Sequence, residues 1–248
     1  MMSFVGEVFT EIPAVSVVFL GLWVFTMIMV PILRWWRGAG AERIGISLGV
    51  VFQTAAVVAV IVPLYGFPMN AIAIIGIPIA GWLVEFIGSR TGYPFGRYEY
   101  TPVLQPQIAR VPVVIPAAWL MMLPAAWAVA DALAPGESRI VFALIAAAAF
   151  VAWDLFLDPQ MVRWNFWKWD HTGPYYDIPF TNFVGWFIVG FLLTLILAPA
   201  AAASRALVFV YAVTWILESI GQIVFWKLRL SGVVGFIAMG VLVLAAVL

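Results

Sequence analysis

The sequence predicts an all-α, polytopic bundle of seven or eight membrane-spanning helices, and three observations carry that reading. Of 248 residues, 65% are hydrophobic and only 10% are charged, far too few charges to coat a soluble globule of this size. Apolar runs near the ~20 residues that cross a bilayer recur at 13–33, 43–64, 70–88, 111–133, 139–157, 181–199, 204–227 and 232–248, the last of them marginal. These runs are continuous rather than alternating, which argues against a strand-built barrel. One domain over 1–248 is the simplest organisation, because no repeat or linker interrupts the pattern.

Charge sets the expected orientation. The loops after spans one, three, five and seven hold Arg34, Arg37, Arg43, Arg90, Arg97, Arg110, Arg163, Lys168, Lys227 and Arg229, which is ten of the twelve basic residues. The positive-inside rule then places both termini outside and these loops in the cytoplasm. The N-terminal segment MMSFVGEVFTEIP lacks a basic region and carries Glu7 and Glu11, so it is read as retained rather than as a cleaved signal peptide. Zero net charge and the lack of a basic run argue against nucleic acid. The absence of cysteine excludes disulfides, thiolate metal sites and cysteine nucleophiles. A single histidine cannot supply a membrane di-iron site, so no metal is expected.

In chain order, the first polar mark is Gln53, inside span two. Span three ends in GWLVEFIGSRTGYPFGRYEY, which places Glu85 about one turn from the expected helix end and opens a long polar loop over 88–111. Glycines at 88, 92 and 96, with Pro94, allow tight turns or close approach. Tyr93, Phe95, Tyr98 and Tyr100 offer an aromatic wall.

Span five ends in DLFLDPQMVRW. Asp154 and Asp158, four residues apart, share one helical face, and Pro159 is expected to stop the helix. The loop over 158–181 follows, with Trp164, Trp167, Trp169, His171 and the Gly173-Pro174 turn. Span seven carries Glu218, nine residues before Lys227 and so about 13 Å below the interface. An ionisable group at that depth is a functional candidate by default. Gln222, at i+4, shares its face.

Each candidate also has a structural reading. Glu85 could bridge Arg90 or Arg97, Asp158 could pair with Arg163, and Glu218 could hydrogen-bond to Gln53. The tryptophans fit an interfacial belt, and Lys227 fits a snorkelling cation. Jointly, however, carboxyl groups on spans three, five and seven converge with aromatic loops on one side of the membrane. Such a set can divide acid and base roles between neighbouring carboxyl groups and cradle a carbocation against aromatic faces.

The segments EFIGSRTGYPFGRYEY and DLFLDPQMVRWNFWKWDHTGPYYDIPFTNFVGW resemble the carotenoid-biosynthesis membrane protein family, which includes cofactor-independent hydratases of bisanhydrobacterioruberin and of γ-carotene or lycopene ends. The matching positions run from Glu85 to Tyr98, then through Asp154, Asp158, Pro159, Trp167, Trp169, Gly173, Tyr175, Tyr176, Ile178, Pro179 and Asn182. The resemblance implies acid-catalysed addition of water across a terminal isopropylidene C=C of an acyclic carotenoid end, giving a tertiary alcohol. No cofactor takes part in that reaction, and the carotenoid comes from the bilayer. Under this reading Asp154 or Asp158 is the acid, Glu85 the base or water-positioner, and Glu218 a supporting group. Tyr93, Phe95, Tyr98, Trp167, Trp169, Tyr175 and Tyr176 line the substrate, and Asn182 holds water. The alternatives are a membrane prenyltransferase-like enzyme, a proton-coupled transporter and a non-catalytic carotenoid-binding protein. Oligomeric state, including a homo-oligomer, is left open.

Overall fold

The computed structural model describes Val8 and residues 12–248; Glu7 and Glu11, and with them the expectation about the N-terminal segment, lie outside the described residues. Eight long helices are present among the described residues: α1 (Ala14–Arg37), α2 (Ala39–Tyr65), α3 (Met69–Thr91), α4 (Val114–Leu133), α5 (Arg139–Arg163), α6 (Phe180–Leu197), α7 (Arg205–Ile220) and α8 (Arg229–Val247). A π-helical segment, Gly221–Phe225, extends α7. All eight are long and apolar enough to cross a membrane, including the run at 232–248 that is marginal in sequence.

The helices sort by how much of their surface is buried. Helix α4 is the hub, packed against α2, α3, α5, α7 and α8. Its buried residues run without a break from Ala118 to Ala130, which is why its sequence is apolar on every face. Helix α1, at the edge, packs chiefly against α2 and exposes Phe25 and Ile28, as a lipid-facing helix should. The joint between them is a single residue, Gly38, with φ of 81°, a left-handed conformation that glycine adopts without steric cost.

Two sequence expectations are corrected here. Pro159 does not stop the fifth helix, which continues to Arg163. A proline inside a helix leaves the carbonyl four residues earlier without its partner, and that carbonyl, Leu155 O, accepts instead from Tyr175 Oη at 2.8 Å and Ser231 Oγ at 2.9 Å. The helix survives because other elements replace the bond that proline removed. The helix end after Glu85 likewise lies further on, at Thr91.

The two long loops also pair with each other. Strand β1 (Tyr98–Tyr100), from the first, runs antiparallel to β4 (Trp167–Trp169), from the second. Between them in sequence, β2 (Gln107–Ile108) and β3 (Val111–Pro112) form a second small ladder. The β1–β4 register sets Tyr98 opposite Trp169, Glu99 opposite Lys168 and Tyr100 opposite Trp167. Because side chains alternate across a strand, Glu99 and Lys168 point outward and are exposed, while the four aromatic residues share the face toward the bundle.

Candidate active site

Beneath this aromatic face lies a cavity of about 60 Å³. At ~10–15 Å³ per water-sized position, it holds a few waters or a small branched group, but not an extended chain. Its wall draws on α3 (Glu85), α4 (Trp119), α5 (Asp158), α6 (Asn182, Trp186) and the paired loops. The remaining wall is apolar, with Leu157 and Met161 from α5 among its members.

Glu85 is the most elaborately held acid. One of its oxygens, Oε2, accepts from the hydroxyls of Tyr98 and Tyr100, the latter at 2.8 Å, and Oε1 accepts from Trp119 Nε1 at 3.2 Å. The loop pairing makes this possible, since Tyr98 and Tyr100 are alternate residues of β1 and so reach the carboxylate together. Burial first, and the charge of Glu85 second, hold both phenols well above the ordinary tyrosine pKa, so they remain hydrogen-bond donors at neutral pH. Neither Arg90 nor Arg97 bridges to Glu85; Arg90 bonds to the carbonyls of Phe86 and Ala109 instead.

The second acidic group is a pair joined by an amide. Asp158 Oδ1 accepts from Trp167 Nε1 at 2.7 Å. Its Oδ2 accepts from Asn182 Nδ2, which also donates to Asp154 Oδ2 at 3.0 Å. All three residues are buried. The i, i+4 spacing does put both aspartates on one face of α5, and Asn182, in the first turn of α6, spans them. Asp158 lines the cavity, whereas Asp154 lies behind it, and Asp154 Oδ1 has no hydrogen-bond partner. Asp158 makes no ion pair with Arg163.

Aromatic rings close the space between the acids. Trp119 and Trp186 stack with centroids 4.7 Å apart, and Phe95 lies 6.3 Å from Trp186. Trp169 also lines the cavity, and its buried Nε1 has no partner.

The structure thus brings Glu85, Asp158, Asn182, Phe95, Tyr98, Trp167 and Trp169 together around one cavity, with Asp154 in contact behind them. Four expected residues lie elsewhere. Tyr93 is 78% exposed. Tyr175, whose hydroxyl burial pushes up to about 12, is spent on Leu155 O, and Tyr176 Oη accepts from Ser231 N. Both therefore tie the 173–178 turn to the bundle. Glu218 does not line the cavity, and Gln53 meets Thr214 and Met122 Sδ rather than Glu218. Nothing in the sequence marks Trp119 and Trp186 as cavity residues, because an indole inside an apolar span carries no sign of what it faces.

A model of one known family, described as carotenoid biosynthesis protein, matches residues 45–247. The chain belongs to that family. The match runs from α2 through α8 and contains every residue of the cavity. A bisanhydrobacterioruberin hydratase from Haloarcula japonica is 27% identical over 128 residues, which cover 50% of this chain and 43% of that protein. The aligned part therefore spans less than half of the length of that relative. No solved structure matches this chain.

Proposed function

We propose that this chain is a hydratase that adds water across the terminal isopropylidene C=C of an acyclic carotenoid end by acid catalysis, giving a tertiary alcohol. The single observation that supports this most is that Glu85 and Asp158, carried on different helices, line the same aromatic cavity. Membership of the carotenoid family and the hydratase name of the Haloarcula japonica relative point the same way.

In this reading Asp158 is the acid, since it is the aspartate that reaches the cavity, and Asp154 acts on it through Asn182. The Asp158 proton goes to the less substituted alkene carbon, and the π electrons form the new C–H bond. The resulting tertiary cation lies among the Trp119, Trp186 and Phe95 rings, whose faces attract positive charge. Water attacks the cation and gives up a proton to Glu85, which its three donors hold in place. Proton return from Glu85 to Asp158 resets the site, and the net change is one added water. The cavity volume suits the branched end of a polyene, with the rest of the chain in the bilayer. The reaction needs neither metal nor nucleotide. The basic loops are read as cytoplasmic, in the cell membrane.

The test is expression in a bacterium that accumulates lycopene, followed by chromatography of the pigments with mass detection. The expected products are heavier by one or two waters and keep the parent absorption spectrum, because the terminal double bond lies outside the conjugated system. If lycopene, γ-carotene and elongated acyclic carotenoids all come back unmodified from membranes that contain the protein, the hydratase reading fails. Pigment that co-purifies unchanged would favour a binding protein.

A further inference from the structure

A second and much larger cavity opens at the end of the bundle that carries the long loops, a cleft of about 990 Å³. Four cations line it, Arg34, Arg43, Arg163 and Lys227, against one carboxylate, Glu42. They come from the end of α1, the start of α2, the end of α5 and the residues after the π segment, so four separate elements deliver positive charge to one space. Glu42 is already committed: it pairs with Arg34 at 2.7 Å and accepts from Trp226 Nε1 at 3.2 Å. Arg43 and Lys227 reach only backbone carbonyls, Val103 O and Val224 O, and Arg163 has no ion pair among the described residues. Among the described residues, three positive charges therefore remain without a carboxylate partner. Helix α2 also begins here, and its Ala39 lines the cleft. Trp35, Trp164 and Trp226 complete the wall, and indoles favour the headgroup level of a bilayer.

We propose that this cleft binds a phosphate anion, supplied by the headgroup of an anionic membrane phospholipid. Basic pockets between spanning helices suit such headgroups, with the acyl chains in the surrounding lipid. The site is separate from the carboxylate cavity; Phe166 lines both and stands between them. The proposal does not depend on the hydratase reading.

The test is native mass spectrometry of the detergent-solubilised full chain, titrated with dioleoyl phosphatidylglycerol or dioleoyl phosphatidylcholine at low salt. The wild type should prefer phosphatidylglycerol. Removing two cations in R43Q/R163Q should weaken that binding by about thirtyfold. R229Q, a charge change outside the cleft, should leave it as in the wild type. Sodium phosphate is the third arm. If it fails to displace the lipid, the acyl-bearing headgroup is the ligand. If it competes at millimolar concentration, the phosphate chemistry stands with free phosphate as a source. Equal binding of the two lipids by the wild type, with no effect of phosphate, overturns the proposal whether or not the double variant folds. Unchanged phosphatidylglycerol binding by a folded R43Q/R163Q also overturns it.

Discussion

Glu85 and Glu218 are both acids within membrane-spanning helices, yet their surroundings have little in common. Glu85 accepts from two phenols and an indole supplied by β1 and α4, and it opens onto a cavity that also holds Asp158. Glu218 is only partly buried, lines no such cavity, and keeps an Oε2 that is closed off from solvent without a partner. From sequence depth alone Glu218 is the stronger candidate, being further from a helix end. Depth measures only what a charge costs. A site needs donors from several elements and space for a reactant, and those meet at Glu85.

The comparison can be broken most directly at the acids. Under the proposed mechanism, Asp158→Asn and Glu85→Gln should each lower hydration by about 10²–10⁴-fold, with expression and melting temperature close to wild type. Full activity in a folded Asp158→Asn protein would remove that residue from the mechanism. Tyr98→Phe combined with Tyr100→Phe leaves the rings but takes two donors from Glu85. Hydrogen bonds to charged groups contribute about 1.5–3 kcal/mol each, so turnover should fall by at least about tenfold, measured as product formed per unit of membrane protein.

Gly185→Ala probes how the cavity wall is placed. An added Cβ would sit 2.8 Å from both Pro94 O and Phe95 Cδ1, so it should push the first loop off α6. Overpacking of this kind costs about 1–3 kcal/mol, visible as a lower melting temperature in detergent. The smallest effect belongs to Glu218→Gln, expected to leave hydration within about twofold of wild type, because Glu218 lines no part of the cavity. A loss comparable to that of Glu85→Gln would erase the distinction drawn between the two acids.

Much of the site was legible as residue types, less as geometry. The Asp154–Asp158 spacing correctly predicts a shared face, because helical periodicity is local. The third member of that cluster, Asn182, lies 24 residues beyond Asp158, and only the packing of α6 on α5 brings its amide between the carboxyl groups. The loop pairing has a faint signal in the sequence. Tyr-Glu-Tyr at 98–100 and Trp-Lys-Trp at 167–169 both alternate aromatic and charged residues, the period of a strand with one buried face, and their central charges are complementary. Three residues are too few to establish that period when the flanking sequence reads as loop.

By itself the sequence determined the solvent of this protein and most of its secondary structure. Eight apolar runs of spanning length must become helices, because a bilayer offers no other partner for backbone polar groups. It also held, in its motifs, the family to which the chain belongs. Only the tertiary structure decided which buried acids face a common space, that helix α5 runs on through Pro159, and that two distant loops form one aromatic roof. Each of these rests on bonds between elements far apart in the chain, such as Tyr175 and Ser231 on Leu155 O. Local patterns describe what a segment can become, and packing selects which of its groups meet.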